Sequence, residues 1–293
     1  MKIAITGANG FLAGYLIGEL LNHHHELVLL SRNTGERFGI PYTVTDYTID
    51  SLKEIFGKGV EGIAHLASTR RVADSLTPYC GFMELTNNLY EAAFLTGCRN
   101  IVLSSSISVY SGCELPYSED TKPAPKNMYG LYKLICENLG EMYNLTKGMH
   151  IKNLRLAHLY GANEKNNYMI NLFFRQAFAH EQLHVNGKGI ARREMMYTKD
   201  AAKAVRLALE HPELSGTFNI GSGEALTNEE IANTICAVMS PENTVSVGTE
   251  SETIASSYMT SLRASKLLGF APSYSLREAA KEIESDMLSQ HCV

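Results

Sequence analysis

Short apolar runs alternate with stretches of helical apolar spacing through the first half of the chain. Lys2–Thr6 (KIAIT), Glu26–Ser31 (ELVLLS), Gly62–Leu66, Asn100–Ser104 (NIVLS) and Ile151–Ala157 read as strands. Their near-continuous apolar character predicts burial on both faces. Phe11–Asn22, Tyr79–Thr96 and Tyr129–Lys147 read as helices. This alternation predicts an α/β fold, a doubly wound parallel sheet with helices on both faces.

The second half is more mixed. Residues 167–180 and Lys199–Glu210 have helical spacing, with Thr198 as the expected cap of the latter. Leu183–Val185 and Phe218–Ile220 read as strands. Thr227–Glu230 (TNEE) and Ser275–Glu278 (SLRE) spell capping boxes at helix starts. No repeat or low-complexity linker divides the chain. The expected organisation is a first lobe over residues 1–160, to which 198–222 return, and a smaller mixed lobe from 161–197 and 223–293.

Composition narrows the function classes. Lys plus Arg is 26 against 31 Asp plus Glu, a net charge of −5, which disfavours a general nucleic-acid binder. No apolar run approaches the ~20 residues of a membrane span. Cys80, Cys98, Cys113, Cys136, Cys236 and Cys292 form no CxxC pair and no cluster with histidine, so they read as reduced thiols without a metal site. His23, His24 and His25 read as the polar end of the first helix. The start MKIAITGANG enters a strand directly, leaving no room for a signal peptide, and a cytoplasmic protein is expected.

The first strand runs into Thr6-Gly7-Ala8-Asn9-Gly10-Phe11-Leu12-Ala13-Gly14 and then the first helix. Gly7 permits a tight turn, Gly10 lets the backbone approach a pyrophosphate, and the helix N-terminus presents N–H groups to the anion. This predicts a dinucleotide cofactor. An NAD site places an acid after the second strand, where this chain has Leu30-Ser31-Arg32-Asn33. Ser31 and Arg32 suit a 2′-phosphate instead, so NADP is preferred to NAD. Asp46 is expected at the adenine edge. His65-Leu66-Ala67-Ser68 is expected beside the cofactor's other half.

Tyr129 and Lys133 share a helix face. A free phenol has a pKa of ~10, and a neighbouring ammonium stabilises phenolate. Tyr129 is therefore the expected general acid/base, with Lys133 tuning it and holding the cofactor ribose. The strand end Ser104-Ser105-Ser106 lies beside this set; Ser104 is assigned to the cofactor and Ser106 to the reacting oxygen. Tyr143 and Lys147 repeat the spacing and read as a helix C-terminal turn.

These segments, in order, resemble the extended short-chain dehydrogenase/reductase superfamily, in its NAD-dependent epimerase/dehydratase branch. TGANGFLAG resembles TGxxGxxG, HLAS resembles HLAA, SSSISVYSG resembles SSxxVYG, MYGLYK resembles YGxSK and LRLAHLYG resembles LRxxNVYG. ARREMMYTKDAAKAV and FNIGSGEALTNEEI resemble two later family segments. The resemblance implies a Rossmann-type sheet, catalytic Ser106, Tyr129 and Lys133, and substrate contacts from Arg193 and His158. It also implies a homodimer through Tyr79–Thr96 and Tyr129–Leu145.

The chain departs from the family pattern in several places. Tyr132 replaces the serine of YGxSK, His158 an asparagine, and Phe82 a helical asparagine. Val245–Glu252 lacks the usual second phosphate arginine, leaving Arg263 as the nearest candidate. Ile107 and Ser108 stand where dehydratases carry Asp-Glu. The implied activity is an NAD(P)-dependent sugar-nucleotide epimerase or 4-keto reductase. The rivals are an NADP-dependent reductase of a smaller ketone or alcohol and a non-catalytic NADP-sensing protein.

Overall fold

The computed structural model describes residues 1–69, 73–251 and 255–291. Glu252 and Cys292, named above, lie outside the described residues. The chain runs β1 (Lys2–Thr6), α1 (Phe11–Asn22), β2 (Glu26–Ser31), β3 (Glu36–Arg37), β4 (Ile40–Val44), α2 (Ile49–Phe56), β5 (Gly62–His65), α3 (Cys80–Thr96), β6 (Asn100–Ser106), α4 (Met128–Lys147) and β7 (His150–Leu156). It continues through β8 (His158–Tyr160), α5 (Met169–Phe178), β9 (Leu183–Val185), β10 (Arg192–Tyr197), α6 (Thr198–Glu210), β11 (Gly216–Ile220), β12 (Ala225–Thr227), α7 (Asn228–Met239), β13 (Val245–Val247), α8 (Leu262–Leu268) and α9 (Leu276–His291).

The main sheet has eight strands in the order β11-β7-β6-β5-β1-β2-β4-β3. All neighbours are parallel except the β3–β4 hairpin. The order reverses between β1 and β5. The crevice outside the strand ends at such a reversal is where open α/β sheets bind ligands.

The central strands β1, β5, β6 and β7 are buried on both sides, so each face needs its own cover. On one face Leu16, Ile17 and Leu20 of α1 pack with Ala201, Ala204 and Ala208 of α6. On the other, α2, α3 and α4 contribute Leu52, Ile55, Leu89, Tyr90, Ala93 and Tyr143. Leu16 is fully buried, and its truncation to alanine would cost about 2–5 kcal/mol. A third core joins α5, α7 and α9 through Phe173, Phe174, Ile231, Ile235, Ala280 and Ile283. It lies beside two small sheets, β12-β10-β8 and β13-β9.

Both capping boxes form. Thr227 and Glu230 exchange side-chain and backbone bonds at α7, and Ser275 and Glu278 do so at α9. Thr198 does not cap α6 as expected. Tyr197 is the cap residue, and the Thr198 hydroxyl donates to the Tyr160 carbonyl at 2.8 Å, tying α6 to β8. The β3–β4 hairpin, α2, β8, β10, β12, β13 and α8 have no counterpart in the expected elements. His23 ends α1, and His25 meets Glu210 of α6 at 3.2 Å.

Candidate active site

Thr6 ends β1 and the chain turns at Gly7, whose φ is +67°. The turn closes with the Gly10 N–H donating to the Gly7 carbonyl at 2.8 Å. A Cβ on Gly7 would stand 2.8 Å from the Ala67 nitrogen, so only glycine lets the continuation of β5 cross here. That crossing is pinned by Thr6. Its Oγ1 accepts from the Leu66 and Ala67 N–H groups at 3.2 and 3.1 Å. Its one proton must then go to His65 Nδ1, 2.7 Å away. His65 is thus the Nε2–H tautomer and donates to Thr86 Oγ1 at 3.0 Å. Burial, with Lys133 nearby, lowers the His65 pKa to about 3.

Helix α1 begins with Gly10 as its cap residue and no side-chain capping bond. Its first N–H groups are left to a ligand, an arrangement suited to an anion. Gly7, Gly10, Phe11, Leu12, Leu66 and Ser104 line one end of a cavity of about 890 Å³. A crossing that excludes a Cβ, a bare helix start and a deep crevice at the sheet's reversal together fit a dinucleotide.

Other residues assigned to the cofactor lie outside this lining. Asn9 and Arg32 are exposed. Ser31 accepts from the Asn33 N–H within its own turn at 3.1 Å. Asp46 accepts from the Thr48 N–H and hydroxyl at 2.9 and 2.8 Å, which holds its pKa below the ordinary carboxylate value. Ala67 contributes its backbone to the crossing. Arg37, which carried no sequence signal, lies over this loop instead. Its Nη1 donates to the Ala8 and Gly10 carbonyls at 2.6 and 2.8 Å. The guanidinium fills the space a Cβ on Gly14 would need.

Ser106, Tyr129 and Lys133 line the same cavity. Helix α4 starts with Asn127 as cap, its Oδ1 accepting from the Gly130 N–H at 2.7 Å. A Cβ on Gly130 would strike the Ser108 carbonyl, so the turn carrying Tyr129 packs directly on the turn after Ser106. Ser106 Oγ accepts from the Ser108 N–H at 3.1 Å, which leaves its proton to donate. Lys133 Nζ donates to the Ser104 carbonyl at 2.7 Å and lies 5.8 Å from the Tyr129 ring centroid. Lys133 is 2% exposed, and burial lowers its pKa to about 8 against the opposing influence of Cys136 and Glu137. Tyr132, also on α4, stacks on Tyr79 with centroids 5.1 Å apart and meets Ser68 at 3.4 Å.

Arg193 and His158 line the cavity farther along, in adjacent strands. His158 Nε2 lies 2.9 Å from Ser257 Oγ, and burial plus the Arg193 charge lowers its pKa to about 4. In the same cavity Gln176 Oε1 and Asn228 Oδ1 are buried with no hydrogen-bond partner among the described residues. Neither carried a sequence signal. Buried acceptors of this kind await a donor.

Arg263, the candidate second phosphate arginine, and the Tyr143–Lys147 end of α4 lie elsewhere. Arg263 donates to the Thr217 carbonyl at 3.1 Å and to Asp120 at 2.9 Å, and it is not in the cavity lining. Tyr143 and Lys147 both reach Glu91 Oε2, at 2.8 and 2.5 Å, in an α3–α4 contact.

Known proteins resemble the chain throughout. Residues 3–221 match the model of the NAD dependent epimerase/dehydratase family. The solved UDP-N-acetylglucosamine 4-epimerase from Bacillus cereus superposes with a TM-score of 0.92 and 44% identity, over 98% of this chain and 99% of that one. The UDP-glucose 4-epimerase of Corynebacterium glutamicum is 28% identical, covering 79% of this chain and 78% of that protein. A dTDP-4-dehydro-6-deoxyglucose reductase of Escherichia coli is 26% identical over 80% of each.

Proposed function

The chain belongs to the NAD dependent epimerase/dehydratase family, and on that premise we propose that it is a 4-epimerase of a UDP-linked N-acetylhexosamine. One observation carries this reading. A single cavity joins the glycine turn, Ser106, Tyr129 and Lys133 to Arg193, Gln176 and Asn228. The 44% identity with the UDP-N-acetylglucosamine 4-epimerase supports the choice of sugar and base.

Gly7, Gly10 and the α1 N-terminus hold the pyrophosphate of the dinucleotide, and Lys133 its ribose. When bound, the nicotinamide supplies a hydride acceptor and donor. Tyr129 takes the proton from the sugar hydroxyl oxygen and later returns it. The Lys133 ammonium, fixed by the Ser104 carbonyl, favours the phenolate. Lowering a phenol by about 3 pKa units needs roughly 4 kcal/mol, within reach of close charges in a dry cleft. Ser106 donates to the same oxygen. Arg193 meets the substrate diphosphate and His158 orients it as a neutral ring. Gln176 and Asn228 accept from the N–H edge of the base.

A second reading is an NADP-dependent 4-keto reductase. It is favoured by Arg37 and Arg32, two guanidinium groups near the place where an NAD site would carry an acid. The exposed apolar residues Ile135, Met142 and Leu145 of α4 and Leu95 of α3 support a homodimer through these helices. The free thiols Cys80, Cys98, Cys113, Cys136 and Cys236 fit a cytoplasmic location.

The test incubates the protein with UDP-N-acetylglucosamine and follows the sugar by NMR. Formation of the C4 epimer without consumption of added cofactor supports the epimerase. Stoichiometric NADPH oxidation with a 4-keto sugar supports the reductase. Neither outcome, for any UDP- or dTDP-sugar, overturns the proposal.

A further inference from the structure

Helix α4 carries Glu137 one turn beyond Lys133. Like Lys133, it reaches the end of β6. Lys133 bonds the Ser104 carbonyl, and the Ser105 hydroxyl donates to Glu137 Oε1. Glu137 is 3% exposed and Arg155 of β7 is 5% exposed. Arg155 Nε meets the two carboxylate oxygens at 3.1 and 3.2 Å, and Nη2 meets Oε2 at 2.6 Å. Arg155 Nη1 also donates to the Tyr110 hydroxyl, which donates to Asn219 Oδ1 at 3.0 Å.

Neither Glu137 nor Arg155 lines the cavity. A buried ion pair is a poor device for stability alone, because apolar residues of similar volume serve as well or better. The contacts of this pair have a pattern. They grip Ser105 and Tyr110, which bracket Ser106 and the turn on which Gly130 packs. We propose that the Glu137–Arg155 pair is a positioning device for the reacting end of β6, which fixes the Ser106 hydroxyl relative to Tyr129 and sets a carboxylate one helical turn from Lys133.

Cys136 and Glu137, both on α4, favour the protonated form of Lys133. His65, from β5, is neutral in its hydrogen-bonded tautomer. Ser104, from β6, contributes a carbonyl. Tyr129 and Tyr132 contribute ring faces at 5.8 and 5.3 Å. Glu137 is the carboxylate among them, and Arg155 of β7, bonded to it at 2.6 Å, offsets part of its charge.

The inference rests on the proposed roles of Ser106, Tyr129 and Lys133, so the test includes Tyr129→Phe as a control. Glu137→Gln preserves shape and removes charge. The alkaline limb of its kcat–pH profile is expected to move down by about 0.5 unit or more, roughly a threefold change in the proton equilibrium, with KM little changed. Glu137→Asp, which keeps the charge, should leave the limb in place. Ser105→Ala should lower kcat about threefold or more without moving the limb. An unmoved limb in a folded Glu137→Gln overturns the electrostatic role. Wild-type kcat in Ser105→Ala overturns the positioning role, and it decides alone if Glu137→Gln does not fold. Turnover surviving in Tyr129→Phe defeats the underlying reading. An inactive Tyr129→Phe beside an unmoved Glu137→Gln limb defeats this inference only.

Discussion

Lys133 Nζ donates to the Ser104 carbonyl at 2.7 Å from a position almost wholly out of water. One proton of the ammonium is therefore committed to β6, and the group cannot swing away from the cavity. Its pKa of about 8 sets a limit on the chemistry. Below pH 8 the ammonium is present and, on the proposed mechanism, would support a Tyr129 phenolate; above it that support is lost. Turnover is therefore expected to decline as pH rises through about 8, seen in a kcat profile. Lys133→Met should lower kcat by about 10²-fold or more at pH 7.

His65 gives a pH dependence of stability. Its native pKa of about 3 lies below the ordinary histidine value of 6.5. Between these values the unfolded chain takes up a proton and the folded chain does not. Stability is full above about 6.5 and falls as the pH drops toward 3. Protonating Nδ1 would also cost the Thr6 bond that pins Leu66 and Ala67. Thermal melts from pH 7 to 4 should show a falling Tm, with a shallower slope in His65→Gln.

Gly7 tolerates no side chain. Gly7→Ala combines a φ of +67° with a Cβ 2.8 Å from the Ala67 nitrogen. It is expected to destabilise the protein by about 1–3 kcal/mol and to abolish the thermal shift given by NAD or NADP. Calorimetric melts with and without cofactor read both effects.

Arg37 is expected to set cofactor preference. Charge-assisted hydrogen bonds are worth roughly 1.5–3 kcal/mol, so Arg37→Ala should weaken NADP binding about 10- to 100-fold and NAD binding little. Titration calorimetry with both cofactors checks this. Equal losses for the two would mean that Arg37 serves the loop and not a 2′-phosphate.

The apolar stripe on α4 predicts a dissociable dimer. Met142 is 55% and Leu145 73% exposed in the single chain. The wild type is expected to sediment as a dimer at micromolar concentration, and Met142→Lys with Leu145→Lys should give monomers.

The legible parts of this molecule are those whose signals are local. Strand β1, the glycine turn and α1 follow from consecutive residues, as do both capping boxes. The Tyr129–Lys133 pair follows from helical spacing. What was missed depends on contacts distant in sequence. Arg37 lies on a two-residue strand, and its meaning comes from Gly14, whose lack of a Cβ only the fold brings under it. Arg155 and Lys152 sit in a strand that reads as merely interrupted by charge. Lys152 is in fact satisfied by Asn100, His211 and Leu214 at 2.8, 2.9 and 3.2 Å. Glu137 resembled any helix-surface acid until β6 and β7 were placed against it. Arg263 is the nearest arginine to the stretch that lacks one, but Asp120 claims it.

The central claim is that Tyr129 moves the proton in a nucleotide-sugar cavity. It is tested most directly by comparing wild type and Tyr129→Phe for epimerisation of UDP-N-acetylglucosamine while measuring UDP binding to both by calorimetry. The account predicts unchanged UDP affinity and a kcat lower by about 10²- to 10⁴-fold in the variant. Turnover within a few fold of wild type, with UDP still bound, would contradict it.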